Sequence, residues 1–309
     1  MKKNTTLHWG FLPGAIATLF AAFVLAGCGK SGGQDEIIRV SRQSSSGTYE
    51  FFREHVLNKK DFKLGSRDMN GSKEVVDLVA STPGAIGYSG MGYNEPAKVK
   101  MLPVAPKQGE PAITPTVENT LSKKYPIARS LLIYTLGEPQ GEVKKYIDWI
   151  LSDAGQKIVE TSGYVPLPAN QRGSATAATP AGSVKTTIQV KGSDTMVNVA
   201  QAWAEAYKKI APNVEIEVSG GGSGQGIAAL IKGSIDICNS SRNMKSEEIE
   251  QAKKNTSKTP KEFVVGYDAL AVYVHKDNPI PSISLDQLAQ IYAEGGTTTK
   301  WSELGVHLK

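Results

Sequence analysis

Short apolar runs bounded by glycine, serine, aspartate or proline alternate along this chain with stretches in which apolar positions recur every three or four residues. The runs Ile37 to Val40, Ala85 to Tyr88, Leu131 to Tyr134, Thr187 to Val190, Val214 to Val218 and Ala269 to Val274 predict strands. The periodic stretches Tyr49 to Leu57, Ser72 to Val79, Val143 to Ile150, Met196 to Ile210, Ile227 to Ile231 and Leu285 to Ile291 predict helices. Most of these begin at Gly, Ser, Thr or Asp, residues that open helices. Strand and helix in alternation imply an α/β fold.

One segment breaks the pattern. Ala169 to Lys185 reads ANQRGSATAATPAGSVK, with no apolar period, and predicts a linker between residues 35–168 and 186–309. At the other extreme, Gly10 to Gly27 is almost wholly apolar, follows Lys2 and Lys3, and ends Leu25-Ala26-Gly27-Cys28. It resembles a lipoprotein signal, short for a bilayer span of about 30 Å. That resemblance implies removal of residues 1–27, acylation of Cys28, a lipidated tether over residues 28–34, and an extracytoplasmic protein, in a periplasm or on a cell surface, anchored to the membrane.

At 309 residues the chain is long enough for two α/β domains. Loss of Lys2 and Lys3 lowers the formal charge from +5 to +3. Basic pairs such as Lys144-Lys145 and Lys208-Lys209 sit among acids on helix faces, which argues against nucleic-acid binding. Cys28 and Cys238 are the two cysteines; with Cys28 acylated, no intramolecular disulfide forms, and Cys238 in an apolar stretch reads as a core residue. His8, His55, His275 and His307 show no metal-ligand spacing, and no cofactor motif is complete.

Three helix starts carry groups suited to an anion. Arg42-Gln43-Ser44-Ser45-Ser46-Gly47-Thr48 lies between a strand and a helix, where unpaired N–H groups and a partial positive charge attract oxyanions and Arg42 adds a full charge. Ser219-Gly220-Gly221-Gly222-Ser223-Gly224-Gln225-Gly226 lets backbone approach a ligand closely. It lacks the Lys-Ser/Thr pair of a P-loop, and no acid stands in the ribose position of a dinucleotide fold. Gly192-Ser193-Asp194-Thr195-Met196 opens the long helix through Ala206, with Asp194 as its cap and Thr195 offering hydroxyl and amide. Asp236, in Ile235-Asp236-Ile237, is expected to point from a strand end toward these groups. A carboxylate there accepts a proton from hydrogen phosphate and opposes fully ionised sulfate, lone pair against lone pair.

Together VKGSDTM, SGGGSGQGIAALIKGSIDI, VVGYDALAVYVHKDNP, VSRQSSSGTYEFF, TPGAIGYSGMGY, YPIARSLLIYT and DWILSDAGQKIVETSGYVPLP resemble the periplasmic-type phosphate-binding proteins of ABC importers. The resemblance implies a two-lobed fold of the venus-flytrap class (type II) that closes on inorganic phosphate, with no catalysis, for delivery to a membrane permease. It implies Thr195, the Met196 amide, Ser223 and Asp236 as ligands from one lobe, and Arg42, Ser46, Gly47 and Thr48 from the other. Where some members carry an acid two residues after the arginine, this chain has Ser44. The family's VKGSDTM block comes first and its GYVPLP block last; here that order is circularly permuted.

In the permuted order one lobe comprises residues 35–131 and 269–309, and the other residues 132–268, which contain the linker. The crossing strands fall near Leu131 to Tyr134 and Ala269 to Val274. A monomer is expected, because the 17 linker residues span about 20–25 Å; the alternative is a swapped dimer. Rival functions are a sensor of phosphate or another oxyanion for a membrane partner, and a phosphoester hydrolase using Ser46 or Thr48, for which no histidine in the motifs supplies a base.

Overall fold

A computed structural model describes residues 35–173 and 185–308. The first block runs β1 (Ile38–Arg42), α1 (Gly47–His55), β2 (Arg67–Met69), α2 (Ser72–Ser81) and β3 (Ala85–Gly90), then β4 (Val99–Leu102), β5 (Val104–Ala105), α3 (Val117–Leu121), β6 (Ala128–Leu136), α4 (Gly141–Leu151) and α5 (Asp153–Thr161). The second block runs β7 (Thr186–Gly192), α6 (Val197–Ile210), β8 (Val214–Ser219), α7 (Ser223–Ile231), β9 (Ile237–Ser240), α8 (Ser246–Thr256), β10 (Pro260–His275), β11 (Ile283–Ser284) and α9 (Leu285–Tyr292).

Each block contributes three parallel strands to one sheet, ordered β2-β1-β3-β10-β6-β9-β7-β8, with β4 also on β10. β1 is parallel to β2 and β3, and β7 to β8 and β9, so helices follow these strands as crossovers. β10 joins the two sets. Its first half runs antiparallel to β6, and its second half lies between β3 and β4, with Val272 opposite both Tyr88 and Leu102. The ladder with β6 is interrupted between Val264 and Gly266, where Val265 is the extra residue.

The apolar positions collect on the two sides of this junction. Phe52, Tyr88, Ile127, Leu270, Tyr292 and Trp301 belong to one core, and Val40, Val75, Val79 and Tyr273 to a second beside it. On the other side Leu131, Ile150, Met196, Trp203 and Val265 form a third core, and Leu132, Ile227, Leu230 and Cys238 a fourth. Leu131 therefore packs with the far side rather than at the edge of the near one. Cys238 is fully buried, as its apolar neighbours predicted, and burial pushes its thiol well above the usual range.

The predicted elements are present, with three differences. α7 begins at Ser223, not at Ile227, so Gly224 and Gly226 are helical. Gly226 is small because α7 lies directly on the end of β7: a side-chain carbon there would stand 2.6 Å from Gly192 Cα and 2.7 Å from the Lys191 carbonyl, while one on Gly224 would stand 3.1 Å from the Ser45 carbonyl. β10 extends from Pro260, far upstream of Ala269. The linker reading fails at its start, where Ala169–Gln171 form a 3-10 turn and Arg172 pairs with Asp153 at 2.8 Å. Residues 174–184, like Cys28 and the apolar run before it, lie outside the described residues. No described helix is long and apolar enough to cross a membrane.

Candidate oxyanion-binding site

β1, β7 and β9 all deliver their C-terminal ends to one place, the position at which open α/β sheets bind ligands. After β1 the chain turns through Ser44 and Ser45 to Ser46, whose side chain caps α1 by accepting from the Thr48 amide at 3.1 Å. The next residue is glycine for a steric reason. A side-chain carbon on Gly47 would collide with the hydroxyls of Ser223 and Ser241, which come from the second block. Thr48 reaches further across, its Oγ1 2.8 Å from Thr195 Oγ1.

The glycine-rich loop before α7 packs against this first loop. Gly224 donates its amide to the Ser45 carbonyl at 2.9 Å, and Ser45 Oγ donates to the Gly221 carbonyl at 3.3 Å. Gly222 holds φ of +94° and a side-chain carbon there would meet the Ser45 backbone, so glycine is required on both counts. Thus the N-termini of α1 and α7 and the turn leading into α6 face one small volume, and their partial positive charges add.

Hydroxyls fill that volume. Ser193 Oγ donates to Ser241 Oγ at 3.0 Å, the Ser241 amide donates to Ser223 Oγ at 3.1 Å, and the Ser223 and Ser241 oxygens are 3.4 Å apart. Ser46, Thr48, Ser193, Thr195, Ser223 and Ser241 are all buried.

Arg42, at the end of β1, is fully buried and reaches the turn that carries Ser193 and Thr195 through Asp194. Its guanidinium donates to the Met69 carbonyl at 3.3 Å, to Ser72 Oγ at 2.9 Å, to the Asn70 carbonyl at 2.9 Å and to Asp194 Oδ2 at 2.9 Å. Four of the five guanidinium N–H groups are so engaged, leaving one on Nη1. Burial pulls the guanidinium below its usual range, and Asp194 opposes that shift. Ser44 does not orient Arg42. Asp194 does so from the other block, while its Oδ1 accepts from the Gly221 amide at 2.7 Å.

Two expected ligands are elsewhere. Asp236 is exposed, and its Oδ2 accepts from the Gln189 amide at 2.8 Å. The strand reading had the right element and the wrong end: Asp236 precedes β9, which runs parallel to β7, so the site lies beyond Ser240. Five residues at about 3.3 Å each put Asp236 roughly 16 Å from Ser241. The Met196 amide is also turned away, donating to the Ser193 carbonyl at 3.0 Å within a 3-10 turn, and the Met196 side chain is buried in the third core.

Two residues went unread in the sequence, and Ser193 was named only as part of the Gly192 to Met196 helix start. Ser241 sits at a strand end, where a lone serine carries no signal. Arg129, near the start of β6, donates through Nε and Nη2 to Asp268 Oδ2 at 3.0 and 2.8 Å and through Nη2 to Thr195 Oγ1 at 3.3 Å. Its guanidinium carbon lies 5.5 Å from the centre of the Phe51 ring. Asp268 is fully buried on β10; burial raises its carboxyl, and Arg129 acts against that rise. Arg in YPIARSLLIYT and Asp in VVGYDALAVYV are lone charges in apolar runs. Such charges must find each other, and that was the available clue.

Comparison with known proteins agrees with this geometry. The PBP superfamily domain matches residues 20–154 and 174–308. Phosphate-binding protein PstS 2 of Streptococcus agalactiae is 33% identical over 303 residues, covering 94% of this chain and 96% of that one. Phosphate-binding protein PstS of Pseudomonas aeruginosa is 37% identical over 132 residues, 41% of each chain. A crystal structure of a phosphate ABC transporter, phosphate-binding protein from Streptococcus pneumoniae superposes with a TM-score of 0.64 at 25% identity, over 87% of this chain and 99% of that one. With the superfamily domain matched over most of its length and a relative of one-third identity matched nearly end to end, this chain belongs to the phosphate-binding proteins of the PBP superfamily.

Proposed function

We propose that this chain captures inorganic phosphate outside the cytoplasmic membrane and delivers it to the permease of an ABC importer. The observation that carries this reading is the meeting of Thr48 with Thr195 and of Ser223 with Ser241, beside the buried ion pair of Arg42 with Asp194, drawn from two distant parts of the chain, at converging helix N-termini. The relatives are named as binding proteins. The hydroxyls here bond to one another, to an amide and to arginine.

Calorimetric titration of inorganic phosphate into protein lacking residues 1–28 tests this. One-to-one binding is expected, and no heat at millimolar phosphate would overturn it.

The same reading extends to the chain's organisation. The two lobes comprise residues 35–131 with 269–309, and residues 132–268. What supports this division is the separation of the cores on either side of the β6–β10 junction. What supports the circular permutation is the order of the motifs themselves, with VSRQSSSGTYEFF and GYVPLP ahead of VKGSDTM. The protein is proposed to work as a monomer, a reading supported by the contact of Thr48 with Thr195 within one chain. Cys28 is the lipid anchor: Cys28→Ser is expected to leave the protein unacylated and released from membranes, and normal processing with retention would contradict it.

A further inference from the structure

We propose that the face around Leu64, Arg67 and Lys300 seats on an anionic lipid surface, so that the protein rests on its own membrane with the oxyanion site turned to the medium. The proposal rests on the reading of Cys28 as the lipid anchor.

Leu64 is 93% exposed, more than any other large apolar side chain described. An exposed leucine alone means little. This one is held out by its neighbours: its carbonyl accepts from Arg39 Nη2 at 2.8 Å, and Gly65 follows with φ of +87°. Lys63 is fixed by its amide to the Tyr292 carbonyl at 2.7 Å and by Nζ to the Gly296 carbonyl at 3.0 Å. Leu64 is thus the tip of a fastened projection. Beside it, Arg39, Arg67 and Lys300 line one recess.

The cations of this face are not neutralised by the fold. On the helices lysines pair with acids, as Lys73 does with Asp77, Lys144 with Asp148 and Lys253 with Glu250. Here Asp61 is taken by Arg53 at 2.9 Å, Asp35 by the Ser302 amide at 2.9 Å, and Glu303 by the Thr299 amide at 3.2 Å. Glu36, Asp68 and Glu294 remain, against Arg39, Lys59, Lys60, Lys63, Arg67 and Lys300, which form no ion pair among the described residues. An excess of positive charge surrounds an apolar tip.

The chain itself selects the partner. Asp35, where the described residues begin, is pinned to Ser302, and Glu36 lies in a β-bridge with Lys300. Cys28 precedes Asp35 by seven residues, a stretch that spans at most about 25 Å. A protein partner must be met by diffusion, whereas the lipid surface that holds the anchor is always within reach of this face. The tether makes the contact intramolecular, so one too weak to retain the untethered protein in cells still orients the tethered one. Anionic headgroups supply the missing counter-charge, and the interface covers Leu64. β1 runs from Ile38 beside the recess to Arg42, about 13 Å away, so the oxyanion site lies at the far end of the strand.

The test is cosedimentation of the protein without residues 1–28, which keeps all four cores, with two kinds of vesicle: phosphatidylglycerol and phosphatidylcholine in equal parts, and phosphatidylcholine alone. A preference of at least about tenfold for the anionic vesicles is expected, lost at about 0.5 M salt, where surface charge reaches only a few ångströms. Arg67→Glu and Lys300→Glu should each weaken association about tenfold or more, because each reverses a charge and one basic residue alone is worth about fivefold. Leu64→Ser should weaken it about tenfold through lost apolar cover. Equal sedimentation with both vesicles, none with either at millimolar lipid, or full retention in Leu64→Ser would overturn the proposal. Phosphate affinity is expected to be the same with and without anionic vesicles, and a fall on the vesicles would contradict the orientation. Failure of the protein to bind phosphate at all would remove the function proposed above and leave this face untouched. The anchor has its own test in the fractionation of Cys28→Ser, since the protein in the vesicle assay carries no acyl chain.

Discussion

Thr48 and Thr195, 147 residues apart in the chain, place their Oγ1 atoms 2.8 Å from each other. One opens a helix after β1, the other the turn after β7, so this contact joins the two parallel strand sets at their common end. A ligand held there is held by both sets, and loss of a group on either side weakens it.

Arg42→Ala is therefore expected to lower phosphate affinity by about 1.5–3 kcal/mol, the range for a charge-assisted hydrogen bond. Arg42→Lys should restore little, because an ammonium cannot reach Ser72, Asn70, Met69 and Asp194 together. Titration calorimetry of both variants checks this, and wild-type affinity in Arg42→Ala would place the arginine outside the site.

Asp194→Asn removes the charge that orients Arg42 from across the molecule. Phosphate affinity is expected to fall about tenfold or more, on the order of one charged hydrogen bond. The Arg42→Ala, Asp194→Asn double variant should fall little further than Arg42→Ala, since the two groups act as a unit. Additive losses would show that Asp194 acts on the ligand independently of Arg42.

Gly47→Ala puts a methyl group against the hydroxyls of Ser223 and Ser241. The fold should persist, since α1 accepts alanine at its first position. Phosphate binding should drop by at least about 100-fold, because the approach of α1 to α7 is what shapes the site. Circular dichroism together with titration separates the two effects. Unimpaired binding would mean that the loops do not need to meet.

Asp236→Asn is expected to leave phosphate affinity unchanged within error, and to cost only about 0.5–1.5 kcal/mol of stability through the Gln189 amide. Asp268→Asn is the contrasting case. It strands Arg129 in a buried site and should destabilise the protein by about 3–5 kcal/mol, read from chemical denaturation.

The pattern of apolar positions was sufficient for β1, β3, β6, β7, β8 and β10 and for α1, α2, α4, α6 and α9, because hydrophobic period and capping residues are local properties, while the start of α7 at Ser223 was read four residues late. α3, α5 and the short strands β2, β4, β5 and β11 escaped that reading, as did α8: its sequence SEEIEQAKKNT is polar on nearly every side, and Ala252 is its one buried residue. Asp236 was misplaced because alternation along a strand reports the face of a side chain and not which end of the strand meets the ligand. That depends on the parallel pairing of β9 with β7, a non-local fact. Ser241 and Arg129 likewise join the hydroxyl cluster only through neighbours more than 15 residues away in sequence. No spacing in the chain announces them.

The passage of β10 through both strand sets has a consequence for how this chain can change length. Beyond Val265 every residue of β10 is in register with β3, β4 or β6, and Val272 is in register on both sides at once. Adding a single residue there would turn Leu270, Val272 and Val274 from one core to the opposite face. Surface loops can grow or shrink one residue at a time, whereas β10 tolerates only even steps. Its one odd residue, Val265, has already been absorbed as a bulge with its side chain buried. The distance between the two strand sets is thus quantised by the pleat of a single strand.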